Sequence, residues 1–184
     1  ALDPDKGQRH LIKAAQLVIR KIPNAQFLIV GQGVLEATLR QQIKSLNLEK
    51  QVLLTGFRSD VLSLQKGFDV FVMSSLSEGL GTSVIDAMAC GRPVVATNVG
   101  GLPELVDPGK TGQLVSPHDP GALADAILNI LQDKALQVRY GHAASKRARQ
   151  LFSAERMIDE TLSIYHRMAD IPPVTDNPGP AATA

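Results

Sequence analysis

The sequence has 184 residues, of which 44% are hydrophobic and 20% charged, an ordinary composition for a globular protein. A formal net charge of +1 excludes the strong basic field through which many proteins attract nucleic acid or anionic membranes. The single cysteine, Cys90, excludes a disulfide within the chain and is typical of a reducing compartment. The apolar runs are far shorter than the ~20 residues that span a bilayer, and the first residues do not resemble a signal peptide.

Helical and strand patterns alternate along most of the chain. Apolar residues recur at helical spacing in segments 8–21 and 34–46. Apolar runs typical of buried strands, covered on both faces in a parallel sheet, occur at 26–30, 52–55, 69–73 and 92–97, and a fifth short strand is predicted at 112–115. Shorter helices are predicted at 61–65, 82–91 and 103–106. The alternation predicts an α/β fold with a doubly wound parallel sheet, Rossmann-like, in a single domain.

The predicted domain covers residues 1–170 and closes with three helices. Asp119 and Pro120 form a favoured helix start, a second helix is predicted at 134–150, and Ser153 is predicted to cap a third whose apolar residues supply packing contacts. The tail from Ile171 to Ala184 is rich in Pro and Ala and predicts a surface crossing or disorder. Earlier in the chain, Ser59 or Asp60 is predicted to cap the helix at 61–65 and Cys90 to be a packed core thiol.

The stretch from Ser74 to Thr97 carries the strongest functional signal. A turn with the sequence Glu-Gly-Leu-Gly, residues 78–81, joins a predicted strand to a helix that Thr82 or Ser83 can cap. Loops at the carboxyl ends of parallel strands bind ligands in open α/β sheets, and the free N–H groups of a helix start favour anions. Carboxylates such as Glu78 accept charge-assisted hydrogen bonds from hydroxyls. The stretch therefore predicts a site for a phosphorylated, hydroxyl-rich ligand.

The pattern Glu78-Gly-Leu-Gly-(x)4-Asp86-Ala-Met-Ala-(x)-Gly-Arg-Pro-Val-Val-Ala resembles a known family. It is similar to the sugar-donor domain of the group 1, family 4, retaining glycosyltransferases of the GT-B fold. The resemblance extends almost end to end. Further matching segments are Lys6-Gly7, 27–33, 52–57, 100–104, 109–112 and 152–165.

The resemblance implies roles for individual residues. Glu78 resembles the first carboxylate of the family's pair, which holds donor-sugar hydroxyls, and Lys6 resembles the lysine that pairs with the donor diphosphate. Asp86 stands where the family usually has Glu, so its contact with the ribose could be direct, water-mediated or lost. Glu78 and Lys6 are therefore the predicted catalytic residues. The predicted donor-binding residues are Gly79, Leu80, Gly81, Thr82, Asp86, Gly31, Gly33, Gly56, Phe57 and Arg58.

For several of these positions a purely structural or surface role remains possible. Gly31 and Gly33 could simply permit a turn, and the same holds for Gly100 and Gly101. Arg58 could be a solvated surface residue. The family commonly has an arginine a few residues before its lysine, and Ala1 lies at about that place in this sequence.

The resemblance also implies an activity. It predicts the donor-binding domain of a retaining hexosyltransferase, which holds a nucleotide-diphosphate sugar and needs neither a metal nor another cofactor. The acceptor, a sugar or a lipid-linked glycan, would be held by an N-terminal domain that these 184 residues do not include. We expect the isolated chain to bind donor weakly, if at all, and to transfer no sugar. A cytoplasmic location is expected, with at most peripheral contact at the inner membrane face and no nucleic-acid partner.

Three other classes of protein fit the sequence less well. A GT-B-type epimerase would need catalytic carboxylates with a matched histidine, and the four histidines are scattered. An NAD-dependent oxidoreductase would need Gly-x-Gly-x-x-Gly, and the segment from Gly31 to Glu36 lacks the third glycine. A non-catalytic module of the response-regulator type would need several aspartates at strand ends, which Asp69 alone does not supply. The sequence leaves the base, the sugar, the acceptor and the linkage open.

Overall fold

The computed structural model describes residues 1–169, which form an α/β domain with five parallel strands and confirm the predicted fold class. The strands are β1 (Phe27–Val30), β2 (Val52–Gly56), β3 (Phe71–Met73), β4 (Val94–Thr97) and β5 (Gly112–Val115). The helices are α1 (Gln8–Lys21), α2 (Glu36–Ser45), α3 (Val61–Lys66), α4 (Thr82–Ala89), α5 (Leu102–Leu105), α6 (Pro120–Gln132), α7 (Lys134–Leu151) and α8 (Ala154–Ala169). A 3₁₀ turn, Pro4–Lys6, precedes α1. The predicted tail, Ile171 to Ala184, lies outside the described residues.

The five strands form two groups, β1–β2 and β3–β4–β5. Within each group, strands that follow one another in the chain lie side by side, as helical crossovers between parallel strands allow. Strands β1 and β3 each have one strand neighbour among the described residues. Both strands line the same groove, which has a volume of about 970 Å³. The groove therefore separates the two groups and exposes one edge of each.

The burial of the strands differs from the prediction made from their apolar runs. All four residues of β4 are buried, as expected for a strand with two strand neighbours. In contrast, Leu28 in β1 is 37% exposed and Leu53 in β2 is 43% exposed. A continuous apolar run predicts that helices cover both faces of a strand. In the two-stranded group, fewer elements pack against β1 and β2, so some of their side chains stay exposed.

Two apolar clusters hold the helices to the strands. The larger is built mainly from α1, α2, α6 and the β1–β2 group, and its fully buried members include Leu2, Ile12, Leu39 and Ile127. The second joins α4, α5 and α7 to β4 through Val84, Met88, Leu102, Leu105 and Ala144. Because β4 contributes Val95 to the first cluster and Val94 and Ala96 to the second, alternate side chains of one strand connect both cores.

Helix α8 departs from its predicted role. Ser153 caps its first turn as predicted, since its hydroxyl accepts a hydrogen bond from the N–H of Arg156 at 3.2 Å. However, no residue of α8 is buried, and apolar side chains such as Tyr165 and Met168 are 62% and 82% exposed. The predicted apolar contacts of this helix are therefore not made within the described residues. Cys90, predicted to be a core thiol, is also only partly buried, at the end of α4.

Candidate functional site

The segment before α1 docks onto the loop after β3. The carbonyl oxygen of Asp5 accepts a hydrogen bond from the N–H of Leu76 at 2.6 Å, and the hydroxyl of Ser74 donates to the carbonyl oxygen of Lys6 at 3.0 Å. Gly7 has a left-handed φ of +62°, and a Cβ at this position would overlap the carbonyl oxygen of Ser74. Glycine at position 7 therefore allows two segments that are distant in the sequence to touch.

This docking brings two predicted site residues into contact. The Nζ of Lys6 lies 2.7 Å from Oε2 of Glu78, although the two residues are 72 positions apart in the chain. The side chain of Lys6 is 31% exposed and that of Glu78 is 13% exposed, so the ion pair is partly shielded from solvent. The structure thus places a cation and a carboxylate together at the end of β3.

Ser75 makes a second contact with the carboxylate of Glu78. The hydroxyl of Ser75 donates to the same Oε2 at 3.1 Å, and Ser75 itself is fully buried. The hydroxyl of Thr97, at the end of β4, donates to the carbonyl oxygen of Ser75. Among the described residues, Oε1 of Glu78 accepts no hydrogen bond. One carboxylate oxygen is therefore held by the protein and the other is available for a ligand.

The backbone of the Glu78 loop is supported by the Gly100–Gly101 turn. The N–H of Gly101 donates to the carbonyl oxygens of Glu78 and Gly79, at 3.2 and 3.1 Å. Gly100 has a φ of +52°, and a Cβ there would overlap the carbonyl oxygen of Glu78. This turn, whose role the sequence left open, holds the carboxylate loop in place.

Helix α4 starts directly after this loop. Its N-cap is Gly81, which has a φ of +70° and makes no side-chain cap. Thr82 is the first helical residue, so the predicted cap by Thr82 or Ser83 is wrong. The N-cap position, which has a non-helical backbone, is occupied by the preceding glycine. The first N–H groups of α4 have no partner within the helix and carry partial positive charge, as helix starts do.

The structure brings together some of the predicted site residues and not others. Those that line the groove are Lys6, Glu78, Gly81, Thr82, Gly31, Phe57 and Arg58. Those that do not are Gly33, Gly56, Gly79, Leu80 and Asp86. Asp86 lies exposed on α4, and its carboxylate makes no hydrogen bond or ion pair within residues 1–169. Gly33 lies against the backbone of Leu2, so close packing accounts for glycine at that position.

Arg58 is held by a neighbour. Its guanidinium makes two hydrogen bonds to the carboxylate of Asp60, at 2.7 and 2.6 Å. These bonds lower the pKa of Asp60 and raise the pKa of Arg58. They also explain why Asp60, although it is the N-cap of α3, makes no side-chain cap.

Two buried glutamines that the sequence analysis did not single out also line the groove. Gln65 is 1% exposed and Gln8 is 7% exposed, and the Oε1 atom of each has no hydrogen-bond partner among the described residues. Each uses its amide nitrogen within the protein, Gln65 on the carbonyl oxygen of Ser83 and Gln8 on that of Ala1. Ser75 was likewise missed. Its spacing of three residues before Glu78 is the signal that could have identified it.

The described residues contain neither a metal-binding cluster nor a membrane-spanning helix. Within residues 1–169, no group of three or more His, Cys, Asp and Glu side chains is arranged to hold a metal ion. None of the helices in the same range has the length and apolar character needed to cross a membrane.

Comparisons with known proteins identify the family of the chain. The model of the family "Glycosyl transferases group 1" matches residues 1–147. The D-inositol 3-phosphate glycosyltransferase of Pseudarthrobacter chlorophenolicus is 36% identical over 171 residues, which cover 90% of this chain and 40% of that protein.

Two solved structures share the fold. HepE of Anabaena in complex with UDP and glucose aligns with a TM-score of 0.81 and 34% identity, over 89% of this chain and 46% of HepE. TarM of S. aureus, solved with UDP and alpha-GlcNAc-glycerol among its ligands, aligns with a TM-score of 0.84 and 30% identity, over 89% of this chain and 34% of TarM. The chain spans less than half the length of each of these relatives. On this evidence the chain belongs to the group 1 glycosyltransferases and corresponds to the C-terminal domain of their GT-B fold.

Proposed function

We propose that this chain binds a nucleotide-diphosphate sugar and serves as the donor-binding domain of a retaining hexosyltransferase. The observation that carries the proposal is the contact between Lys6 and Glu78 at the carboxyl end of β3. Ligands of open α/β sheets bind at this edge. The two side chains supply the two chemistries that such a donor needs, a cation for the diphosphate and an acceptor for sugar hydroxyls.

The chemistry of the transfer gives each residue a task. When a glycosidic bond to a diphosphate breaks, negative charge develops on the leaving phosphate oxygen. Lys6 and the N–H groups at the start of α4 are cationic or partly positive groups that would stabilise this charge. Oε1 of Glu78 would accept hydrogen bonds from the donor sugar and hold the anomeric carbon in a fixed position. Asp86 remains a proposed ribose contact.

We propose that an acceptor sugar or a lipid-linked glycan is held by an N-terminal domain outside these 184 residues, since the chain spans less than half of each relative above. The complexes of HepE with UDP and glucose, and of TarM with UDP, support a nucleotide-sugar donor. On this proposal the isolated chain binds donor but transfers no sugar, and measured transfer by the chain alone would contradict it.

A ligand panel followed by thermal unfolding tests the proposal. The panel is UDP, GDP, ADP, NAD, UDP-glucose and GDP-mannose. We expect one nucleoside diphosphate and its sugar conjugate to raise the unfolding temperature, because a ligand that binds only the folded state stabilises it. Lys6→Ala should abolish both shifts. Glu78→Ala should remove the additional affinity contributed by the sugar and leave most of the binding of the bare nucleoside diphosphate.

Lys110→Ala is the matched control. Lys110 also pairs with a carboxylate, that of Asp107 at 3.1 Å, but its side chain is 74% exposed and it does not line the groove. The control should therefore bind every ligand as the unmodified chain does. A response to NAD alone, or to none of the six compounds, would overturn the proposed function.

A further inference from the structure

Glu78 has two supports of different chemical character. Lys6 and Ser75 both donate to Oε2, at 2.7 and 3.1 Å. The ammonium of Lys6 is a cation at the end of a long side chain that is 31% exposed. The hydroxyl of Ser75 is short, neutral and carried by a residue that is fully buried. A ligand in the groove can therefore reach Lys6 but not Ser75.

This difference matters when a diphosphate enters the groove. A bound anion competes with Glu78 for the charge of Lys6, because a single ammonium cannot hold two anions as tightly as one. The neutral hydroxyl of Ser75 is not drawn to the diphosphate. Its hydrogen bond to a charged carboxylate belongs to the stronger class. Ser75 is thus the support of Glu78 that persists in the occupied site.

The position of Ser75 is itself fixed by the sheet. The hydroxyl of Thr97, which is 3% exposed, donates to the carbonyl oxygen of Ser75. Since Thr97 ends β4, the central strand of its group, the chain of contacts runs from β4 through Ser75 to Glu78. Packing and hydrogen bonding of this kind hold a side chain in one rotamer.

We infer that Ser75 is a positioning residue for Glu78: it holds Oε2 while Lys6 engages the diphosphate, and so directs Oε1 to the hydroxyls of the donor sugar. The inference rests on the proposed function. It assigns Ser75 to recognition of the sugar rather than of the nucleotide. Removal of its hydroxyl therefore weakens the binding of a sugar conjugate and spares the binding of the bare nucleoside diphosphate.

A double-mutant cycle tests this assignment. Ser75→Ala, Glu78→Ala and the double variant are titrated with UDP and UDP-glucose, or with GDP and GDP-mannose if the panel above selects GDP. Ser75→Ala should weaken the binding of the sugar conjugate about tenfold to a hundredfold, the loss typical of one hydrogen bond to a charged group, with little change for the nucleoside diphosphate. In the Glu78→Ala background the same substitution should have no further effect on binding, because the carboxylate that Ser75 positions is absent.

A second measurement needs no ligand. The carboxyl carbon of Glu78 is observed by NMR in the free chain, where Ser75→Ala should shift its resonance. Ser145→Ala is the matched control, because Ser145 is also buried, at 9% exposure, and its hydroxyl donates to the carbonyl oxygen of Ala89, away from the groove. Ser145→Ala should leave the Glu78 resonance unchanged. It should also leave unchanged the ratio of the affinities for the sugar conjugate and the nucleoside diphosphate.

The outcomes separate the two proposals. If the unmodified chain binds neither UDP and UDP-glucose nor GDP and GDP-mannose, the proposed function is overturned. The role of Ser75 in sugar recognition is then overturned with it. A chain that binds the sugar conjugate normally after Ser75→Ala overturns the present inference alone. Equal losses for the nucleoside diphosphate and the conjugate, or a loss that persists without Glu78, would show that Ser75 acts on folding rather than through Glu78.

Discussion

Gly7 and Gly100 allow the candidate site to form because both lack a side chain. Each has a left-handed backbone, and at each a Cβ would overlap a carbonyl oxygen, that of Ser74 and that of Glu78 respectively. An alanine at either position would meet a backbone atom, which yields less easily than the end of a flexible side chain. The ion pair between Lys6 and Glu78 therefore depends on a glycine that takes no part in binding.

Gly7→Ala should destabilise the protein more than a left-handed backbone alone explains. Gly109 is the control, because its φ is +79° but no heavy atom lies within 4 Å of a Cβ placed there. For Gly109→Ala we expect a loss of about 1–2 kcal/mol, the conformational cost of a non-glycine residue in this region. Gly7→Ala should lose about 1 kcal/mol or more beyond the control, since Ser74 must also move. Urea unfolding followed by circular dichroism measures the free energy of unfolding of both variants. Equal losses would show that the backbone at Ser74 moves aside at no cost in stability.

Among the secondary-structure elements, the helix caps show what the local sequence can and cannot predict. The predicted start of α6 is confirmed, because the carboxylate of Asp119 accepts a hydrogen bond from the N–H of Ala122 at 2.9 Å. Asp60 has the same side chain at the start of α3, but its carboxylate is taken by Arg58. Both candidates satisfied the local rule for an N-cap. The sequence could not show which carboxylate would find a stronger partner.

Asp119→Ala should therefore cost about 1 kcal/mol of unfolding free energy, the usual loss on removal of an N-cap side chain. Asp125 lies on α6 itself and is exposed, and its carboxylate makes no ion pair or hydrogen bond within the described residues. Asp125→Ala should change the unfolding free energy by less than about 0.5 kcal/mol. Each variant removes one carboxylate, from the N-cap or from α6 itself, so a comparison of their denaturation midpoints isolates the contribution of the cap. Similar midpoints would mean that the Ala122 hydrogen bond adds nothing to stability.

For the whole molecule, the sequence predicted which segments are strands but not how the strands are arranged. Apolar runs predicted the five strands because each run is a local signal. Whether a strand lies at an edge depends on which other strand pairs with it, and that information is spread over the whole chain. The split between β1–β2 and β3–β4–β5 was therefore not predicted. The contact of Lys6 with Glu78 is equally non-local, and only the family resemblance placed both residues in one site.

The exposed edges of the two strand groups should be visible in amide hydrogen exchange. In β1, Phe27 and Gly31 direct their N–H groups to β2, so the intervening N–H groups of Leu28 and Val30 point to the groove. In β3, Phe71 pairs with β4, and the N–H of Val72 therefore faces the groove as well.

We expect the amides of Leu28, Val30 and Val72 to exchange at least about tenfold faster than those of Val95 and Ala96, which lie in β4 between two strands. The reason is that amides hydrogen-bonded between strands must wait for an opening of the structure before they exchange. Native-state exchange followed by NMR on the chain of 184 residues gives all five rates in one experiment. The comparison has an internal control, because Val72 lies in β3 and Val95 and Ala96 lie in the paired strand β4. A general loosening of the domain would raise all five exchange rates together and would leave no difference between the two sets. Equally slow exchange at all five positions would show that the edges of β1 and β3 are paired in solution, which contradicts the open groove.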